Sequence, residues 1–318
     1  MLLSIIIPCY NTEKYIADTL ESVKEADLYD MEVICIDDGS TDGSSSILKE
    51  WALKNRKNTL IVQENKGLSA TRNVGIRAAS GEFLYFLDSD DYILNLKEMY
   101  RLCRQMHEEH LDLLIGSGRT VFETPEIEEE YANFAGRYVI HHDYPEVLTG
   151  REALISLRSN KDWFVTTGTR IVRREFLLKH EIIFSEGYIF EDGLFTLQTL
   201  FLAERVRIVR NELYARRMRR DSIMTSASSY QSVLGYIHGL IACLRFLEPY
   251  LQKGEVSSEA WRSVEVMKSM AVRHYKKLDG NQKKLLEQAM SLEEYLYFRA
   301  FIKNEAEYSL KLDRIDNG

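Results

Sequence analysis

Two aspartates one residue apart, Asp88-Ser89-Asp90, follow directly on the apolar run Phe83 to Leu87. Carboxylates at i and i+2 on a tight turn can serve one hard divalent cation and a neighbouring ribose. Magnesium and manganese take oxygen ligands and keep waters and phosphate oxygens in their shells. An acidic turn of this kind is otherwise an ordinary solvated turn, and its place directly after a strand favours the ligand reading. Asp37-Asp38 closes an earlier apolar run. It can accept hydrogen bonds from a base or a sugar hydroxyl, or it can cap the helix that follows. Gly39 suits a close turn in either case. Lys66-Gly67 leads into Leu68-Ser69-Ala70-Thr71-Arg72-Asn73, and a helix starting there turns unpaired N–H groups toward an anion. Arg72 is either a phosphate or base contact or a surface helical arginine, and taken alone the surface reading is the better one.

The elements that must position these residues alternate. Leu2–Pro8, Glu32–Ile36, Leu60–Gln63, Phe83–Leu87 and Asp112–Ile115 read as short buried strands. Between them lie helical periods: Ile16, Leu20 and Val23 after an Asn11-Thr12 cap; Ile47, Leu48 and Trp51 started by Thr41 or Ser44; Leu68 to Ala79; and Leu96, Met99, Cys103 and Met106. Strand–helix alternation predicts βαβ units, a mainly parallel sheet and flanking helices, an α/β fold. Ligands of such sheets bind beyond the carboxyl ends of the strands. The polar loops Tyr10-Asn11, Asp37-Asp38, Glu64 to Gly67 and Asp88 to Asp90 are therefore predicted on one edge.

From about residue 119 to 160 the pattern weakens, and the acidic stretch Glu126 to Glu130 reads as a solvated insertion. Order returns at Trp163 to Arg173, with helices near Arg174–His180 and Glu191–Ala203 and strands at Val206–Val209 and Leu213–Met218. Beyond residue 225 only helical periods occur. One stripe is Val233, Ile237, Leu240, Leu244 and Leu247, and another is Tyr295, Phe298, Phe301 and Ile302. The reading gives an α/β domain over 1–225, with halves over 1–115 and 116–225, and a C-terminal helical region over 226–318.

Composition narrows the function. The 318 residues are 45% hydrophobic and 28% charged with a net charge of −8, which suits a globular chain and argues against a nucleic-acid partner. Cys9, Cys35, Cys103 and Cys243 are widely spaced in apolar runs, as free thiols in a reducing compartment would be. The apolar start reads as a buried strand and not as a signal peptide. No stretch of about 18 apolar residues occurs. The histidines lack metal spacing, and His141-His142 reads as an exposed pair. A dinucleotide-binding G-x-G-x-x-G is missing where Pro8-Cys9-Tyr10-Asn11 stands, and no P-loop is present.

Taken together, Ile5 to Asn11, Ile36 to Asp42, Asn65 to Asn73 and Asp88 to Asp91 resemble glycosyltransferase family 2, of the bacterial polysaccharide type, in order and spacing over about the first 115 residues. The resemblance implies a GT-A fold, inversion at the anomeric centre, a nucleotide diphosphate donor (a UDP-sugar) and Mn2+ or Mg2+, and it makes 1–225 the catalytic domain, 1–115 its nucleotide-sugar-binding half and 116–225 its acceptor-side half. It places Pro8, Tyr10, Asn11 and Asp38 at the nucleoside, with Tyr10 stacked on the base. Lys66 and Arg72 fall near base or phosphates, Asp88 at ribose or metal, and Asp90 is the main metal ligand. Glu191-Asp192-Gly193 resembles the family's Glu-Asp motif, which makes Asp192 the catalytic base. A carboxylate there can take the proton of an attacking hydroxyl, and a helix N-terminus would keep it ionised. Its bland counterpart is an acidic helix start.

Leu213 to Ile223 resembles the arginine-rich segment that closes the donor site, with Arg217 and Arg219 as candidates for the diphosphate. Some relatives supply a histidine metal ligand from this region, and this chain has none between Arg205 and Ser229, so the third protein ligand stays open. The implied acceptor is a saccharide or lipid-linked saccharide. The other reading is an inactive nucleotide-sugar-binding partner in a polysaccharide assembly. The expected place is the cytoplasm or the inner face of the membrane. Acidic residues among the C-terminal basic clusters limit membrane contact to a weak, peripheral kind, and the same helices offer a face for pairing two copies.

Overall fold

A computed structural model describes residues 1–55, 57–220, 222 and 228–306. Packing divides the chain into two compact units, one of Met1–Gly187 with Thr199–Thr225 and the other of Tyr188–Gln198 with Ser226–Gly318. The sequence reading had placed 188–198 with the first domain.

The first unit is built on one eight-stranded sheet. Its elements run β1 (Leu3–Cys9), α1 (Ile16–Ser22), β2 (Met31–Asp37), α2 (Ser44–Lys54), β3 (Asn58–Val62), α3 (Leu68–Ala78), β4 (Phe83–Phe86), β5 (Tyr92–Ile93) and α4 (Leu96–Glu108). They continue as β6 (Leu113–Phe122), α5 (Pro125–Glu130), α6 (Gly150–Ser159), β7 (Arg170–Arg173), α7 (Arg174–Lys179), α8 (Asp192–Leu202, shared with the second unit) and β8 (Val206–Met218). Strand order is β3-β2-β1-β4-β7-β6-β8-β5. The β1–β2, β2–β3, β1–β4 and β6–β8 pairs are parallel; β7 runs antiparallel to β4 and β6, and β5 to β8. All of β1 is buried, as a strand covered on both faces must be.

Three local expectations are corrected. Residues 12–15 form a turn ahead of α1, with the Ile16 amide donating to the Thr12 carbonyl at 2.9 Å, so no side chain caps that helix. The two strands expected over 206–218 are one strand. Its polar interruption at Arg210-Asn211-Glu212 is absorbed by a register irregularity opposite Ile115 to Gly118. The weak region after 119 is ordered: β6 reaches Phe122, Thr124 caps α5, and a capping box joins Thr149 and Glu152 at the head of α6. That box is the Thr-x-x-Glu signal of a helix start. The glutamates of 126–130 are exposed on α5 while Ile127 is buried.

The second unit contains α9 (Tyr230–Leu251), α10 (Ser258–Lys276), α11 (Gly280–Ala289) and α12 (Leu292–Tyr297), followed by a π-helical stretch over Phe298–Lys303. Along α9, Val233, Ile237, Leu240 and Leu247 are buried and Leu244 is half-buried. The final stripe is split. Phe298 and Ile302 are buried, but Phe301 is 47% exposed, because the wider π turn breaks the 3.6-residue spacing. Among the described residues no helix is long and apolar enough to cross a membrane.

Candidate active site

The loops at the carboxyl ends of β1 to β4 are joined to one another by side chains. Asn11, in a left-handed conformation at φ 52°, receives the Thr41 amide on Oδ1 at 2.8 Å and donates its own amide to Ser40 Oγ at 3.1 Å. The Thr12 amide donates to Ser44 Oγ at 2.9 Å, and the Thr12 hydroxyl donates to Ser89 Oγ at 3.1 Å. Asp37 Oδ1 accepts from the Ser40 amide at 2.9 Å. Asp38, 3% exposed, accepts the Lys66 amide at 2.9 Å and Gln63 Nε2 at 2.6 Å on Oδ1, and the Gly67 amide at 2.8 Å on Oδ2. Asp38 therefore fixes the loop that opens α3. The helix-capping alternative falls to Asp42, whose Oδ1 accepts the Ser44 amide at 3.0 Å. At Gly67 the chain turns with φ 86°, a conformation open to glycine at little cost.

Arg72 is 1% exposed, which overturns the surface reading. Its Nη2 lies 2.7 Å from Asp88 Oδ1, and its guanidinium sits 5.1 Å from the Phe184 ring centroid. Asn73 beside it holds the Phe184 main chain from both sides, donating to its carbonyl and accepting from its amide at 2.9 Å each. Asp90 Oδ2 accepts from Arg219 Nε and Nη2, both at 2.9 Å. Arg217 is used otherwise. Its guanidinium donates to the Asp90 carbonyl at 3.0 Å and to Asp18 at 2.8 Å, and it lies over the Tyr15 and Tyr92 rings. The Asp91 carboxylate accepts the Arg217 amide at 2.9 Å.

Three carboxylates thus crowd the end of β4. Burial, and then the Asp88 charge, push Asp90 above the usual carboxylate range; burial and Asp90 push Asp91 well above it. Arg216 keeps its charge. Burial would lower its pKa, but the fields of Tyr138, Tyr214, Asp91 and Asp88 raise it well above the ordinary value. Arg72 on Asp88, Arg219 on Asp90 and Arg216 beside Asp91 match the three carboxylates in number. Arg216 and Asp91 belong to this charge cluster, and sequence reasoning had not singled them out. The available signal was strand alternation in β8, which sets Arg216 on the face opposite Arg217.

The remaining candidates divide. Tyr10 is 48% exposed at the strand end, and the Lys66 side chain is exposed while its amide holds Asp38. Pro8 is a buried residue within β1, in register with Ile36, so it shapes the strand end. Asp192 lies in the second unit, in the first turn of α8, where unpaired helix amides favour a carboxylate. Among the described residues no group of three or more His, Cys, Asp and Glu side chains is arranged to hold a metal ion.

A family model described as "Glycosyl transferase family 2" matches residues 4–180. The chain is 32% identical over 231 residues to glycosyltransferase GlyG of Streptococcus pneumoniae serotype 4, covering 70% of this chain and 73% of that protein. It is 31% identical over 225 residues to the poly(ribitol-phosphate) beta-N-acetylglucosaminyltransferase TarS of Staphylococcus aureus, where it spans only 36% of the longer protein. The solved structure of TarS residues 1–349 in complex with UDP-GlcNAc superimposes with a TM-score of 0.60 at 25% identity, covering 93% of this chain and 78% of that one. This chain belongs to glycosyl transferase family 2 and has the GT-A fold.

Proposed function

We propose that this chain moves a sugar from a UDP-linked donor to a hydroxyl of a saccharide or lipid-linked saccharide, with inversion and with a divalent cation. The observation that carries the reading is the cross-linked edge at the ends of β1 to β4, with the Asp88–Asp90 turn at its centre. TarS, whose structure superimposes on this chain, was solved in complex with UDP-GlcNAc, which supports a nucleotide-sugar donor. The exposed Tyr10 ring offers a stacking face for uracil. Asp38, Asn11 and Pro8 shape the loops around it, and the α3 N-terminus with Lys66 faces the phosphates.

The residues present fit a hard cation. Asp88 and Asp90 offer carboxylate oxygens on the turn that follows β4, and water with diphosphate oxygens can complete a magnesium or manganese shell. Such an ion supplies charge neutralisation for the departing diphosphate. Arg219, now on Asp90, is the arginine placed to exchange partners with a diphosphate; Arg217 is committed to Asp18 and the main chain. In the reaction the acceptor oxygen bonds to the anomeric carbon, and the bond to the diphosphate oxygen breaks with its electron pair on the leaving group. The hydroxyl proton passes to Asp192.

An inactive donor-binding partner is the second reading, and the presence of both Asp90 and Asp192 speaks against it. UDP release from UDP-GlcNAc, and a thermal shift with UDP-GlcNAc and manganese, test the proposal. Asp90→Ala should lower UDP release on the order of 10²–10³ while uridine binding stays nearly intact, and a chelator should act likewise. Full turnover in chelator would refute the metal role. Cytoplasmic placement, pairing through the C-terminal helices and only peripheral membrane contact are carried as proposals. Fractionation, sedimentation and liposome binding at two salt concentrations check them.

A further inference from the structure

The segment that carries Glu191-Asp192 packs as part of the helical unit. Within that unit the Tyr188 ring stacks on His238 of α9 with centroids 3.6 Å apart and planes 11° from parallel. Two residues on, the Phe190 ring stacks on Tyr236 at 4.2 Å and 13°. His274 of α10 closes the cluster, 5.2 Å from Tyr236 and 6.3 Å from Phe190. Between the two stacks the backbone of Ile189 passes so close to α9 that a Cβ on Gly235 would lie 2.5 Å from its carbonyl oxygen. Phe190 is held at φ 67°. A bulky aromatic residue pays for that conformation and keeps it only where its surroundings over-determine it. On the other side of Asp192, Gly193 rests against the Met267 methyl of α10.

We infer that Tyr236 and His238 are positioning residues for Asp192, and that the C-terminal helices serve catalysis by fixing the conformation in which the chain delivers that carboxylate. The inference rests on the reading of Asp192 as the base. Two parallel stacks at alternate residues, with a glycine contact between them, fix both the height and the twist of the stretch 188–190. Ring stacks of this kind stabilise beyond their buried area and so favour one conformation of a short segment. A base must lie within hydrogen-bond reach of the proton it takes, and a displacement near 1 Å can cost on the order of 10²-fold in rate.

The test uses the full chain, with UDP as the binding probe and UDP release from UDP-GlcNAc as the turnover probe. Tyr236→Ala and His238→Ala should speed amide exchange over residues 188–192 and lower turnover about 10–100-fold. UDP affinity should stay within about twofold, as for a residue outside the donor loops. Tyr236→Phe keeps the stack and should restore both turnover and protection. Gly235→Ala displaces Ile189 without removing a ring and should reproduce the loss. Unchanged exchange over 188–192 in both alanine variants, or a turnover loss that Tyr236→Phe does not restore, overturns the inference. Asp192→Asn run in parallel separates the two readings. If it turns over normally, the base assignment fails. If it is inactive while the alanine variants are normal, only the positioning role fails.

Discussion

The loop edge at the ends of β1 to β4 in the first unit and the aromatic stacks of the second hold the carboxylates proposed to be functional by different means. At the loop edge, Asp38, Asn11, Thr12 and Arg72 connect loops that lie 16 to 77 residues apart through charge-assisted and hydroxyl hydrogen bonds. Each group there has a partner of fixed direction, so the residue type itself is required. The segment leading to Asp192 is constrained by ring faces and by space left by glycine, which several residue types could satisfy if shape is kept. Directional networks therefore leave a motif in the sequence, and packing leaves only a hydrophobic period.

The comparison can be sharpened experimentally. The largest effect is expected at Asp192, where Asp192→Asn keeps the shape and removes the basicity. Turnover of UDP-GlcNAc should fall roughly 10²–10⁴-fold while the dissociation constant of UDP, measured by calorimetry, changes little. A near-normal rate would reassign the base. Next comes Asp38→Ala, which leaves the Lys66 and Gly67 amides without their carboxylate. It should weaken UDP binding and lower unfolding stability by about 1–3 kcal/mol. If affinity and denaturation midpoint are both unchanged, the loop tie contributes nothing and the contrast between the two regions collapses.

The smallest effect concerns a polar network outside the donor motifs. Burial would raise the Asp162 pKa, but hydrogen bonds from the His141 and His142 amides, the Tyr144 hydroxyl and the His142 ring hold it below the usual carboxylate range. A group whose pKa is depressed on folding stabilises above its unfolded value, about 3.9, and that contribution is lost as pH falls through the folded pKa. Wild type should therefore lose stability between about pH 5 and the acid limit more steeply than Asp162→Asn. Parallel profiles from denaturant titrations would show that Asp162 is not linked to acid unfolding.

Much of this architecture was written into single stretches of chain. The apolar runs ending in Pro8, Ile36 and Leu87, each followed by polar residues, were enough to set β1, β2 and β4 in a sheet and to gather their loops at one edge, because strand length, period and the handedness of βαβ units leave few alternatives. The Asp88–Asp90 turn was legible for the same reason. The capping box at Thr149 was equally present but lay in a region whose hydrophobic period is weak. What the sequence could not state was partnership. Arg72 has the composition of a surface residue, and only the fold brings Asp88 and Phe184 to it. Asp38 could equally have met a ligand or a helix, and the fold gave it the amides of Lys66 and Gly67. The assignment of 188–198 to the helical unit depends on rings at 188 and 190 meeting rings at 236 and 238. Local pattern fixes which backbone forms, since that is decided over a few residues. Which side chains meet across dozens of residues is decided by packing, where position along the chain carries no information.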